Sequence, residues 1–386
     1  MSIDSTTTGT GPAAPALDLL SGDAQVFREK IWASRVHLHH TDPERLVGLL
    51  SLEDADALLT ASAIRTPSVR LAREGTVLPE STYTRSATLA GKPLTGLVDP
   101  RKALDAFRDG ATVVFQGLHR YHPPLTRLVA QLELELGHPC QANAYLTPPG
   151  AQGFAVHSDT HDVFVFQTAG AKQWEIHHEE DGESRVEDVT MQPGLSLYLP
   201  TGTPHAARAE ESVSLHVTIG INQLTWRGLV RRTVEGLLPG DDHLPAGWLD
   251  DPSTLSTGLA DQLRALADRL TAADAGAAAE QEVRRFLTSR MPRLPGGLLD
   301  ALATVDDTTL LRRRPGPACV LRDHDDRVEV LLGDRVLTVP GHLRHALAEV
   351  RAREELRPAD LPLDPASRVV LCRRLVREGL LEVARS

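Results

Sequence analysis

The stretch from Asn143 to Thr218 constrains this chain most. It opens NAYLTPPGAQGFAVHSDTHDVFVFQTAGAKQWEIH and closes on LYLPTGTPHAA and SLHVTIG. His157 and Asp159 form an H-x-D pair. On a strand, residues two apart point to one face, so this spacing brings an imidazole and a carboxylate to one point. His205 follows 48 positions after His157, past the strand-like run LSLYLP and the tight turn TGTP. Two histidines and one carboxylate are the ligand set of the facial triad, which leaves iron(II) with open positions. An isolated H-x-D pair arises often by chance; followed at this distance by P-x-G-x-P-H it is far more specific.

The residues around this triad add a second signal. KQWEIH alternates in polarity, which places Lys172 beside Trp174 and against the apolar run VFVFQ. A buried ammonium needs an anion, and the far end of a dicarboxylate chelating the metal would supply one. The alternative is a half-exposed lysine whose stem lies on Trp174. Tyr145 and Thr218 are hydroxyl donors on strands flanking the same cavity, and Asn143 shares the face of Tyr145; ordinary sheet packing explains Asn143 and Tyr145 equally well. His216 either lines the pocket or is a satisfied core histidine, the second being favoured. Asp162 is placed to hydrogen-bond a ligand histidine. Gly194, Pro200, Gly202 and Pro204 are turn residues that aim His205.

The flanks read as follows. Residues 1–24 are rich in Ser, Thr, Gly and Pro and read as a flexible tail. Regular structure is expected from DAQVFREKIWASR, with Val26, Phe27, Ile31 and Trp32 as a helical stripe. HLHH at 37–40 lacks a spaced carboxylate or cysteine and reads as surface histidines, not as a metal site. His177 and His178 read as solvated. LVGLLSLEDADALLTAS predicts a helix capped at Ser51, and LTRLVAQLELELGHP an amphipathic helix ending at Gly137. Short strands separated by Gly/Pro turns then predict a sandwich or jelly roll. Residues 225–300 carry long 3.6-period segments, and GDDHLPAG within them reads as a loop. Residues 301–386 combine two helical patterns with CVLRDHDDRVEVLLGDRVLTVP, a β-ribbon, which suits a winged helix.

Composition bounds the rest. With 386 residues, 41% hydrophobic and 24% charged, the chain has enough apolar material for a sizeable core. No apolar run is long enough to span a bilayer, and the N-terminus lacks the basic start of a signal peptide. Three dispersed cysteines, Cys140, Cys319 and Cys372, argue for a reducing compartment and hence the cytoplasm. A net charge of −11 disfavours nonspecific nucleic-acid binding and attracts basic partners.

The pattern N-A-Y-L-T-P-P-x-x-Q-G-F-x-x-H-x-D-x-x-D-V-F-V-x-Q-x-x-G-x-K-x-W resembles the JmjC-type, cupin-fold ribosomal oxygenase family. FREKIWASR, LLSLEDADALL, IRTPSVRLAREGTVLP and GATVVFQGLHRYHPPL resemble the same family's N-terminal part, so the resemblance runs from about residue 24 onward. It implies an α+β chain: a double-stranded β-helix oxygenase domain at 25–224, a helical dimerisation region at 225–300 and a C-terminal winged helix at 301–386. It also implies His157, Asp159 and His205 as ligands of Fe(II), and Lys172, Tyr145, Asn143 and Thr218 as the pocket for 2-oxoglutarate, the co-substrate. The implied activity is hydroxylation of a side chain of a protein, in particular a ribosomal protein, by a homodimer; charge balance and the lack of a long apolar run add the expectation that it contacts neither DNA nor membrane. Two positions depart from the family pattern: Ser158 stands where an aromatic is common, and Thr201 where an arginine is common. Both lie near the substrate mouth, so an oxygenase of the same chemistry acting on a biosynthetic peptide or small molecule remains an alternative. A non-enzymatic regulator using its winged helix on DNA is a third reading, opposed by the complete triad and Lys172.

Overall fold

The computed structural model describes residues 15–385 except 152–154, 181–182, 210–211, 239, 241–242, 245, 247 and 250–251. Half of the loop GDDHLPAG therefore lies outside the described residues. The chain divides into two compact units, Met1–Gln223 and Leu224–Ser386.

The first unit carries thirteen strands: β1 (His37–His40), β2 (Val69–Arg73), β3 (Thr76–Val77), β4 (Thr84–Leu89), β5 (Lys92–Val98), β6 (Thr112–Phe115), β7 (Cys140–Thr147), β8 (Asp162–Ala169), β9 (Lys172–Glu180), β10 (Glu183–Met191), β11 (Leu195–Leu199), β12 (His205–Ala209) and β13 (Ser214–Ile221). Eight form one sheet in the order β1-β11-β8-β13-β7-β6-β2-β3, and three form a second, β10-β9-β12. VFVFQ is buried on both faces because β8 lies at the centre. Val163 and Val165 turn inward to Trp174 and Ile176 of the small sheet. Phe164 and Phe166 turn outward to a layer that includes Phe27, Leu17, Leu20 and Leu128. The alternation of β9 is as its sequence predicts, with Lys172, Trp174 and Ile176 buried. This is a jelly roll, with helices covering the outer face of the larger sheet.

The helices form where their caps allow. Ser51 accepts the Asp54 N–H and Asp54 closes the capping box on Leu52–Thr60. Pro123–Leu136 ends at Gly137, whose φ of 72° suits glycine. One boundary is corrected: the N-terminal tail does not extend to residue 24. Ala16–Ser21 is helical and buries Leu17 and Leu20, and the N–H groups of Ala16 and Leu17 donate to the Glu135 carboxylate at 2.9 and 2.7 Å. Composition concealed this short apolar anchor, ALDLL, beside the Ser/Thr/Gly-rich start.

The second unit begins with helices at Trp226–Leu237, Pro252–Thr271, Ala275–Thr288 and Gly297–Leu302. Asp274 caps the third by accepting from Gly276 and Ala277, which splits the Ala-rich segment in two. Then follow β14 (Leu311–Arg313), β15 (Val320–His324), β16 (Arg327–Leu331), β17 (Val336–Pro340), β18 (Glu355–Leu356) and β19 (Leu381–Val383), with helices at Arg344–Ala352 and Pro365–Arg377. They make two three-stranded sheets, β18-β14-β19 and β15-β16-β17, around a core that includes Leu347, Val350, Leu371 and Leu375. Arg284 pairs with Glu329, and Arg322 with Glu280 at 2.6 Å, so the helix Ala275–Thr288 is tied to the β15–β17 ribbon.

Candidate metal centre and its cavity

His157 and His205 hold each other through the backbone. The N–H of His157 donates to the His205 carbonyl at 3.0 Å, and the N–H of His205 donates to the His157 carbonyl at 2.8 Å. Their rings stand 4.5 Å apart, centroid to centroid. The convergence of the H-x-D pair thus has a different origin from the one its spacing predicts. His157 is a single bridge residue and Asp159 lies beyond any strand, so a reciprocal backbone clamp replaces the period of two.

The ligand atoms of His157, Asp159 and His205 all lie within 4.8 Å of one another, and His205 Nε2 is 3.8 Å from Asp159 Oδ2. Each ring is oriented by a main-chain carbonyl: Ala155 O is 2.9 Å from His157 Nδ1, and Thr203 O is 2.9 Å from His205 Nδ1. With Nδ1–H donating, each Nε2 presents a lone pair, the tautomer a metal requires. Burial lowers the His205 pKa, with a smaller opposing pull from the Thr203 carbonyl, which favours the neutral, ligating form. Two imidazoles and a carboxylate with open positions fit a divalent first-row ion of the non-haem iron kind.

Asp162 does not reach a ligand histidine. Its carboxylate accepts from Tyr198 OH and, at 2.7 and 2.8 Å, from the N–H and hydroxyl of Thr201. It anchors the turn that delivers His205. Gly202 N–H, donating to the Asp159 carbonyl at 3.0 Å, ties that turn to the other ligands.

The ligands open into a cavity of about 290 Å³ lined by Lys172, Tyr145, Thr218, Trp174, His216 and Arg70, among others. Lys172 is 4% exposed, and its Nζ donates to Thr147 Oγ1 at 3.3 Å. Burial alone pulls its pKa down to about 8. Burial pushes the Tyr145 hydroxyl upward, with Arg70 and Thr218 as hydrogen-bonding neighbours. Asn143 is paired with Thr218 in register, but its Oδ1 accepts the Gly117 N–H at 3.0 Å and it is not among the cavity-lining residues. His216 is not a satisfied core histidine. It lines the cavity, stacks on Tyr145 at 4.9 Å, and leaves Nδ1 without a partner.

The remaining histidines stand apart from this centre. The run at 37–40 is β1, with His37 Nε2 3.0 Å from the Ser21 carbonyl. His177 and His178 are half-buried, not solvated, and His177 pairs with Glu175 at 2.8 Å. Arg70, which lines the cavity, and Thr147, which holds Lys172 from behind it, do not stand out in the sequence. The signal for Arg70 was present in VRLAR, where a cation sits between residues that β2 buries.

Residues 119–229 match the JmjC domain family. Ribosomal oxygenase 2 of Bos taurus is 29% identical over 262 residues, covering 58% of this chain and 56% of that protein. A Branchiostoma floridae protein described as bifunctional lysine-specific demethylase and histidyl-hydroxylase NO66 is 37% identical over 145 residues, 37% of this chain and 23% of that one. The chain thus spans between about a quarter and just over half of these relatives. The Escherichia coli ribosomal oxygenase YcfD aligns with 94% of this chain and 98% of its own at a TM-score of 0.53 and 20% identity. YcfD in complex with cobalt and 2-oxoglutarate gives a TM-score of 0.51 at 19% identity, over 92% of this chain and 97% of its own. Residues 119–229, which hold the two histidines and the aspartate, thus belong to the JmjC domain family, and the chain around them is similar to ribosomal oxygenases.

Proposed function

We propose that this protein is an iron(II)- and 2-oxoglutarate-dependent oxygenase that hydroxylates a side chain of a protein, with a ribosomal protein as the favoured substrate. The observation that carries the reading is a pairing within one cavity: a two-histidine, one-carboxylate cluster and a buried lysine that no carboxylate among the described residues pairs with. Ile176, opposite His205 in register, and Lys172 are four residues apart on β9, about 13 Å along a strand. A dicarboxylate ligating the metal and reaching inward meets Lys172. YcfD, which has the same fold, has been described with cobalt and 2-oxoglutarate.

In this reading His157, Asp159 and His205 hold Fe(II), which when bound supplies the oxidative decarboxylation of 2-oxoglutarate and the insertion of oxygen into a C–H bond. The chain's own groups bind and orient. The Ala155 and Thr203 carbonyls hold Nδ1 of each imidazole, which leaves Nε2 facing the metal position. Lys172 supplies the countercharge for the distal carboxylate, and Tyr145 and Thr218 add hydroxyls on the facing wall. Asn143 contributes indirectly, by fixing the Gly117 turn. The apolar wall of Val163, Val165 and Trp174 keeps water from the reacting centre.

The remaining assignments follow the family's layout. Residues 225–300 form a dimerisation region whose exposed Leu259 and Leu263 face a second copy, and residues 301–386 form a winged helix that binds no DNA. Three free cysteines support a reducing, cytoplasmic setting, and no helix among the described residues is long and apolar enough to cross a membrane. The net charge of −11 draws basic segments to the surface. The test is mass spectrometry of ribosomal proteins from cells with and without this protein. One should lose a single oxygen atom when it is absent. Unchanged ribosomal proteins alongside oxidation of a biosynthetic peptide or metabolite would move the assignment to that substrate.

A further inference from the structure

Arg70 is the one cavity residue whose charge the co-substrate reading leaves unused. It stands on β2, opposite Val114 of β6; Val114 is opposite Tyr145 of β7, and Tyr145 opposite His216 of β13. Residues directly opposite across an antiparallel sheet share a face, so this row sets Arg70, Tyr145 and His216 along one wall of the cavity. Thr147, which holds Lys172, lies two residues beyond Tyr145 on β7. The Arg70 row therefore flanks the space between the lysine end and the metal ligands, and the Tyr145 hydroxyl feels both Arg70 and Asp159.

Two features set Arg70 apart from Lys172. Arg70 is half-buried whereas Lys172 is 4% exposed, so Arg70 is the more accessible of the two cavity cations. Its Nε is buried with no hydrogen-bond partner, and among the described residues no carboxylate pairs with its guanidinium. A planar fork of donors so placed needs an acceptor and repels a cation.

We propose that Arg70 is a specificity-determining residue whose guanidinium excludes a cationic target side chain and favours an uncharged one that offers a hydrogen-bond acceptor. The inference rests on the oxygenase reading above and narrows it: the surrounding segment is basic, but the residue that enters the cavity is neutral, as a histidine is at pH 8. Long-range attraction by the acidic surface and short-range rejection by Arg70 act on different parts of the same substrate.

The test uses the full-length protein loaded with Mn(II) and N-oxalylglycine, a dicarboxylate analogue that is not turned over. The probes are the N-acetyl methylamides of histidine, citrulline and arginine at pH 8. Citrulline matches arginine in shape and lacks its charge. Paramagnetic broadening of side-chain proton resonances reports entry beside the metal ligands. The wild type should admit citrulline and histidine about tenfold more readily than arginine, the scale of a like charge roughly 10 Å away in a half-buried site. Arg70→Gln should bring the three probes within about twofold of one another, and Arg70→Lys should restore the discrimination. Equal or preferred entry of arginine in the wild type overturns the proposal without any recourse to variants. Discrimination that persists in Arg70→Gln overturns the assignment to Arg70. Failure of N-oxalylglycine itself to bind, by calorimetry on the same sample, overturns the parent reading and this one with it.

Discussion

Lys172→Met separates stability from function at one buried atom. Lys172 has a single polar partner, Thr147 Oγ1, and no carboxylate among the described residues. The fall from lysine's ordinary 10.5 to about 8 corresponds to about 3 kcal/mol of cost to the charged form. The sign follows from proton binding. Between about 8 and 10.5 the unfolded chain holds a proton that the folded protein has released, so stability rises with pH across that window; below about 8 the full cost is present. Methionine keeps the length of the stem without the charge. The ligand-free variant should therefore gain up to about 3 kcal/mol at pH 7 and lose the rise in stability above pH 8. Dicarboxylate binding should fall by on the order of 2–5 kcal/mol, as for a truncated buried pair. In the wild type, affinity for N-oxalylglycine should decline roughly tenfold per pH unit above pH 8, as the amine loses the proton that the dianion needs. Urea titrations at pH 7 and pH 9.5, with calorimetry on the same samples, read all three. A variant that is less stable and binds the dicarboxylate as before would refute the reasoning.

Two further outcomes are expected. Gly170→Ala should destabilise the first unit by about 3 kcal/mol or more, because Gly170 has φ of 63° and a Cβ there would lie 1.7 Å from the Val213 carbonyl oxygen; thermal denaturation checks this, and a near-neutral change would contradict it. Residues 301–386 should bind no DNA: 15 Arg against 14 Asp and Glu leave a surplus of only one, and Arg312, Arg335, Arg368 and Arg374 are already paired within the chain, so submicromolar binding in a low-salt gel shift would be the contrary result.

Much of this protein is written locally. The alternation of KQWEIH, the both-faces-apolar VFVFQ, the Ser51 cap and the stop at Gly137 each act within a few residues, and the structure follows them. The spacing of His157, Asp159 and His205 pointed to the right cluster, although what brings the three together is the backbone clamp between His157 and His205 and not a shared strand face. What stayed hidden depends on contacts distant in sequence. The anchor Ala16–Ser21 is stabilised by Glu135, more than a hundred positions away. The partners of Asp162 are Tyr198 and Thr201, which no local pattern links to it. Arg70 joins the cavity only through a cross-strand row that spans four strands. His216 is ambiguous in sequence because a cavity wall and a core have the same apolar neighbours.

The most direct test of the central reading is anaerobic calorimetry with Fe(II) and 2-oxoglutarate, on the wild type and on Asp159→Ala. The wild type should take up one Fe(II) per chain and then one 2-oxoglutarate, with the second binding dependent on the first. Asp159→Ala should lose the metal and, with it, the metal-dependent part of 2-oxoglutarate binding, while circular dichroism stays that of the wild type. Retention of stoichiometric iron by the variant, or 2-oxoglutarate binding in the wild type that does not depend on metal, would contradict the account.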